Sequence, residues 1–297
     1  MHVFVTGATG HIGSAVVTEL LEAGHRVTGL ARSDEGAAAL TAKGAAVHRG
    51  DLDDLDGLRN AAAASDGVIH LAFKHDFDDF VGSANADLRA VEAIGEALVG
   101  SDRPFVSTSG TLLLALLGRG GLATEHDTVP GGPRVDSENA VIALAERGVR
   151  SSVVRLSPLV HSDLDHHGFA HHLIDTARDT GVSGFLGDGS NRWPAVHTLD
   201  AAHLYRLALE SAPAGTRLHG VADEGVPFRD IAAVIGSHLN VPAVSIPAEE
   251  VCHFGFLALF ASLNNPTSNA LTQKVLDWHP ERPGLIEDLD AGHYFGE

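Results

Sequence analysis

Cysteine, lysine and tyrosine are scarce in this chain, and each scarcity excludes something. Cys252 is the single cysteine among 297 residues, so no disulfide can form within the chain and a thiolate metal site is not expected. Its neighbours from Val251 to Phe260 are largely apolar, which predicts a small buried hydrophobe. Only Lys43, Lys74 and Lys274 are lysines, and the net charge is −19. Such a surface repels phosphate backbones, so no nucleic-acid partner is expected, and an anionic ligand must be held locally by helix N-termini or single arginines. No apolar run reaches the ~18 residues that would suggest a membrane span. The opening Met1-His2-Val3-Phe4-Val5-Thr6-Gly7 reads as a strand rather than a leader, and the expected location is cytoplasmic.

Hydrophobic content of 44% against 20% charge suits a globular chain with a sizeable core. Short apolar runs alternate with helical patterns through the first half, predicting βαβ units and a doubly wound parallel sheet, an α/β Rossmann class. Strands are expected at His2–Thr6, Arg26–Leu30, Ala45–Arg49, Gly67–Ala72, Arg103–Thr108 and Ser151–Leu156. Helices are expected over Ile12–Glu22, Glu35–Lys43, Asp54–Ala64, Ala86–Val99 and Asn139–Arg147. Beyond residue 156 the loops lengthen, so residues 1–156 are read as the dinucleotide-binding domain. Residues 157–297 are read mainly as a smaller substrate lobe that returns a strand near Thr216–Gly220 to the sheet.

Thr6-Gly7-Ala8-Thr9-Gly10-His11-Ile12-Gly13 joins the first strand to the first helix. Gly7 permits a tight turn, Gly10 lets backbone approach a pyrophosphate, and Gly13 lets helix and strand pack closely. The helix N-terminus then offers N–H groups to the phosphates. An NAD-preferring site usually places a carboxylate at the end of the second strand; here Ala31-Arg32-Ser33 follows, and Arg32 with Ser33 suits the 2′-phosphate of NADP(H). Asp51, followed by Leu52, is placed to meet an adenine amino group, or equally to cap the helix near Asp54.

With these pieces in place the chain resembles the extended short-chain dehydrogenase/reductases, the NAD-dependent epimerase/dehydratase group. Thr6–Gly13 is similar to its glycine motif, Gly50-Asp51-Leu52 to its adenine motif and His70-Leu71-Ala72 to the end of its fourth strand. Val154-Arg155-Leu156-Ser157-Pro158, Val196–Ala202 and Leu276-Asp277-Trp278-His279-Pro280 resemble later segments. The resemblance implies dinucleotide contacts from Thr9, His11, Ile12, Leu71, Ala72 and Pro158 beside those above, and a homodimer through helices near Ala86–Val99 and Asn139–Arg147.

The catalytic pattern departs from that group. It uses a hydroxyl after the fifth strand, for which Ser109 is the best match, with Thr108 and Thr111 as substitutes. Where its tyrosine and lysine should stand, this chain has Arg134 and Glu138. Arginine stays charged and is a poor acid, although it can stabilise an oxyanion or grip an anion. Glu138 can accept from ribose hydroxyls, or the two can form an ion pair on a helix surface. A proton would then come from held water or from His75, His161 or His197. The segment His161 to His172 lacks a compact metal motif and reads as a mobile wall of the substrate pocket, with no metal expected. Phe169, Phe185, Trp193 and Phe254–Phe256 are candidates for an apolar lining or for core. These readings lead to an NADPH-dependent reductase of a carbonyl or imine in a small, fairly apolar molecule. The alternative is a non-catalytic NADP(H)-binding sensor or regulatory protein.

Overall fold

The computed structural model describes residues 1–76, 79–116, 118 and 121–296. The first half alternates strand and helix: β1 (His2–Thr6), α1 (His11–Glu22), β2 (Arg26–Ala31), α2 (Asp34–Ala42), β3 (Ala46–Arg49), α3 (Leu55–Ala63), β4 (Gly67–His70) and α4 (Phe80–Leu98). Then come β5 (Pro104–Gly110), the single turn α5 (Leu112–Ala115), α6 (Val135–Ala143) with a 3₁₀ extension over Leu144–Arg147, and β6 (Arg150–Leu156). The second half holds β7 (Leu159–His161), α7 (Phe169–Thr180), β8 (Ser183–Leu186), β9 (Arg192–His197) and α8 (Thr198–Ser211). It continues with β10 (Thr216–Gly220), β11 (Asp223–Pro227), α9 (Phe228–Leu239), β12 (Ala243–Ile246), α10 (Ala270–Leu276) and α11 (Leu285–Asp290).

Seven strands form one parallel sheet in the order β10-β6-β5-β4-β1-β2-β3. This is the order of a doubly wound Rossmann sheet with β10 added beside β6. Alternation along β1 divides the core. Val3 and Val5 pack with Val16, Val17 and Leu20 of α1 and with Leu204, Tyr205 and Ala208 of α8. Phe4, between them, points to the opposite layer with Leu58 of α3 and Ala90, Val91 and Ile94 of α4. Val16, Val17 and Leu20 are fully buried, worth roughly 1.5–3 kcal/mol each. Arg103 ties this layer together by donating to the carbonyls of Ala62 and Ala63 at the end of α3, of Ser65 just after it and of Ala97 in α4.

Two further small sheets, β11-β9-β7 and β12-β8, stand beside the large one. Their core contains Trp193, Phe228, Ile231, Ile235, Phe254 and Leu257, and Phe169, Phe185 and Phe256 pack against it. The aromatics suggested as a pocket lining are thus mostly core here. Cys252 corrects another expectation: it is exposed. The 3₁₀ stretch Ala248–Leu259 is kinked, and its buried positions are taken by Phe254 and Leu257.

Several boundaries also differ from the sequence expectation. β4 stops at His70, because Leu71 and Ala72 turn away to bond Thr6. α4 begins at Phe80, where Asp79 caps it by accepting from Gly82 N at 2.9 Å. The weak helix formers Gly82 and Ser83 conceal that start in the sequence. No described helix is long and apolar enough to cross a membrane.

Candidate active site

The glycine turn lies where β1 meets α1, and its geometry requires glycine at two positions. Gly7 has φ +67°, and a Cβ there would lie 2.7 Å from Ala72 N. A Cβ on Gly13 would lie 2.0 Å from Gly7 O, so only hydrogen allows α1 to sit this close. Gly10 is the N-cap of α1 and has no side chain to cover the first N–H groups, and the first turn holds no acid. An uncapped N-terminus beside an open backbone suits a pyrophosphate. Thr9 and Gly10 are exposed, and Ile12 is half-buried against the core. His11 reaches the second half of the chain, its Nε2 lying 2.7 Å from Thr198 Oγ1.

At the end of β2, Ala31 is buried, and Arg32 and Ser33 are exposed. Ser33 caps α2 by accepting from Gly36 N at 3.1 Å. Arg49, which the sequence reading missed, comes from the end of β3; it donates to Ser33 O and pairs with Asp34 at 2.9 Å. Asp51 Oδ1 accepts from the backbone N–H groups of Asp53 and Asp54, and Asp54 itself caps α3 through Gly57 N. Leu52 is buried in the core, whereas Leu71, Ala72 and Pro158 are half-buried at strand ends.

A buried polar chain leads from this turn to Arg134. Ala72 N donates to Thr6 Oγ1, and Thr6 Oγ1 lies 2.8 Å from His70 Nδ1. With Thr6 donating, His70 is the tautomer protonated at Nε2, which faces Asp87 Oδ1 at 3.1 Å. Asp87 Oδ2 is 2.6 Å from Arg134 Nη1, an ion-pair contact that is off-axis for a hydrogen bond. Arg134 also lies 4.2 Å over the face of Phe73. Burial alone would raise the Asp87 pKa, but the adjacent Arg134 charge and the His70 hydrogen bond hold it well below the usual carboxylate range. Arg134 has φ +69°, an uncommon conformation for a non-glycine residue, and it is the N-cap of α6.

Glu138 faces the other way. It accepts from Arg155 Nη2 at 2.6 Å and Nε at 3.1 Å, and from Arg217 Nε at 2.7 Å. Burial would raise its pKa, but the bond and charge of Arg155, then Arg217, lower it. The helix-surface ion pair, the alternative role for Arg134 and Glu138, does not form, because each has a closer buried partner. Ser109 is buried near Glu138 without a well-aligned hydrogen bond. Thr108 donates to His70 O and meets Tyr205 OH at 2.7 Å, and Thr111 Oγ1 accepts from Asn265. Burial pushes the Tyr205 phenol well upward, so it cannot serve as an acid near neutrality. Tyr294 donates to Asp165 in the other core.

His161 and His197 meet edge to face, with ring centroids 5.6 Å apart. His161 Nδ1 is 2.8 Å from Asp288 of α11, and its Nε2 is buried without a partner. His197 Nδ1 accepts from Leu199 N at the start of α8, and burial followed by the charge of His161 lowers its pKa. Burial and the charge of Arg134 likewise lower the pKa of His75. The segment after His161 is a built turn: Asp165 accepts from Gly168 N at 2.7 Å, and His171 Nε2 lies 2.7 Å from Asp165 O. Among the described residues no three His, Cys, Asp or Glu side chains converge as a metal site.

Asp87 and His70 escaped the sequence reading as site residues, yet one signal was present. Asp87 lies on the same face of α4 as Ala84, Ala90, Val91 and Ile94, where a lone carboxylate must find a partner.

Comparison with known proteins accords with this geometry. A model of the NAD dependent epimerase/dehydratase family matches residues 3–102. An uncharacterized protein of Schizosaccharomyces pombe is 47% identical over 296 residues, spanning 99% of this chain and 100% of that protein. A 2-alkyl-3-oxoalkanoate reductase of Stenotrophomonas maltophilia is 28% identical over 266 residues, covering 82% and 77% of the two chains. The crystal structure of a dTDP-glucose 4,6-dehydratase from Streptomyces venezuelae with NAD bound superposes with TM-score 0.77 at 18% identity, covering 99% of this chain and 96% of that one.

Proposed function

The chain belongs to the NAD dependent epimerase/dehydratase family of extended short-chain dehydrogenase/reductases, and from that premise we propose that it is an NADPH-dependent reductase of a carbonyl or imine in a small, fairly apolar molecule. The observation that carries the reading is the polar chain Thr6–His70–Asp87–Arg134, which joins the dinucleotide turn to the residue standing in place of the family's tyrosine. Residues 1–156 then form the cofactor half, and residues 157–297 supply most of the substrate side.

The bound cofactor would supply a hydride. Gly7, Gly10 and Gly13 admit its pyrophosphate at the N-terminus of α1, with Thr9, His11 and Ile12 around it. Leu71, Ala72 and Pro158 border the path toward the nicotinamide, and Asp51 and Leu52 border the adenine. Arg32 and Ser33, with Arg49 nearby, favour a 2′-phosphate, because the end of β2 offers Ala31 in place of a carboxylate. Arg134 donates N–H groups toward the substrate oxygen as negative charge develops there. Glu138 lies one helical turn from Arg134, with Ser109 of β5 beside it, and acts by fixing α6 through Arg155 and Arg217. Arg134 does not release a proton, so a carbonyl substrate draws one from water held at Ser109 or from His161 or His197. An imine entering as its iminium needs none. The proposal includes a homodimer, which sedimentation velocity would measure.

The test is binding and turnover together. Titration should show NADPH bound more tightly than NADH, and Arg32→Ser should weaken NADPH about tenfold while sparing NADH. A ketone, aldehyde and imine panel should reveal NADPH oxidation. Tight NADPH binding with no turnover across a broad panel would instead favour the second reading, a non-catalytic NADP(H) sensor. That alternative is supported by the buried partners that engage both Arg134 and Glu138.

A further inference from the structure

Arg134 invites the view that its cation grips an acidic substrate, but its surroundings argue otherwise. Its side chain is only 14% exposed, and Nη1 is 2.6 Å from a carboxylate that is 1% exposed. Water cannot screen that carboxylate, so the attraction between the two charges is strong and their fields largely cancel beyond the pair. Asp87 is fixed in turn. His70 Nε2 engages one oxygen at 3.1 Å, and His70 is itself anchored to Thr6 of the glycine turn. Phe73 supports the guanidinium from one side. What Arg134 presents is a set of oriented N–H donors on a pair of zero net charge.

We propose that Asp87 is the positioning and specificity-determining residue of this site: by fixing Arg134 and cancelling its charge, it restricts the substrate to uncharged carbonyl or imine compounds and excludes carboxylate-bearing ones. This inference rests on the reductase reading for its substrate and on the geometry alone for the pairing. Removing the Asp87 charge uncovers the Arg134 cation and frees it to move, so discrimination against anions falls along with the rate on neutral substrates.

Two experiments separate the failure of this inference from the failure of the reductase reading. The first compares NADPH oxidation with ethyl pyruvate and with pyruvate, which carry the same ketone with and without a charge. The full-length wild-type protein should prefer the ester by at least about tenfold in kcat/KM. Asp87→Asn should lower kcat on the ester and lower KM for the acid, and Asp87→Glu should restore the preference in part. A wild-type enzyme that reduces the acid as well as the ester overturns the inference, as does an Asp87→Asn enzyme with an unchanged ratio.

The second experiment needs no turnover. The Arg134 Nε–H signal in a ¹⁵N NMR spectrum of the NADPH-saturated protein, assigned by its loss in Arg134→Lys, should exchange slowly with solvent and should not shift on titration with acetate. In Asp87→Asn it should exchange at least about tenfold faster and shift saturably with acetate. A saturable acetate shift in the wild type, or an unaltered signal in the variant, overturns the inference. If Asp87→Asn does not fold, the wild-type arms still decide. If neither ketone is reduced while the NMR outcomes hold, the charge-cancelled pair stands, and the broad panel alone decides the reductase reading.

Discussion

Glu138→Ala isolates a buried carboxylate shared by two arginines. The carboxylate lies between Arg155, which is 1% exposed, and Arg217, and removing it leaves two cations facing each other without their shared anion. Breaking a buried pair of this kind typically costs about 3–5 kcal/mol, because the remaining charge stays desolvated. Two features place the expected cost near the lower end. Arg155 keeps its bond to Asp127 O at 2.9 Å, and Arg217 keeps Asn139 Oδ1 and partial access to water. A loss of about 3 kcal/mol is a large fraction of a typical folding free energy of roughly 5–15 kcal/mol. At roughly 2–4 °C per kcal/mol it lowers Tm by about 6–12 °C.

Urea denaturation followed by circular dichroism measures the cost directly. The double variant Glu138→Leu/Arg155→Met should recover part of the loss, since apolar side chains of similar volume need no partner. Because the folded-state pKa of Glu138 is depressed, its stabilisation is present above the unfolded carboxylate value of 4.5 and fades as the pH falls through the folded value. The difference between wild type and Glu138→Ala should therefore shrink in acid. Glu138→Lys adds a third cation and should be worse than alanine. A Glu138→Ala protein within about 1 kcal/mol of the wild type at neutral pH would refute the reasoning.

Other outcomes follow from the same structure. Gly13→Ala forces a Cβ to 2.0 Å from Gly7 O, a backbone atom that cannot move aside, so calorimetry should show loss of dinucleotide binding and a lower Tm. His219 is buried and held at Nδ1 2.7 Å from Ser268 O, and burial pushes its pKa down to about 4, against opposition from Glu125. The unfolded chain binds a proton near pH 6.5 and the folded one does not. Stability is therefore full above that pH and falls by up to about 3 kcal/mol as the pH drops toward 4. Denaturation midpoints across this range should be flatter in His219→Gln, and an identical slope would count against the assignment.

Much of the fold was legible because its signals are local. The apolar run Val68-Ile69 flanked by helical patterns prescribes a buried strand, and glycines at 7, 10 and 13 prescribe the tight turn from β1 into α1. Where local signals were weak, the reading slipped. α4 starts earlier than expected, since Gly82 and Ser83 look like loop, and Cys252 is outside because a kink turns Phe254 and Leu257 inward. Both errors come from judging an element by its composition when a cap or a bend sets its course.

The sequence by itself determined the parallel sheet and the glycine turn and singled out Arg134 and Glu138, since these depend on residue type and short spacing. Only the tertiary structure decided what those two residues do. Arg134 reaches back to Asp87 on α4, 47 positions earlier, and Glu138 reaches forward to Arg155 and Arg217 on β6 and β10. A buried charge takes whichever partner folding brings within about 3 Å, and that choice rests on how helices and strands pack rather than on the order of residues along the chain.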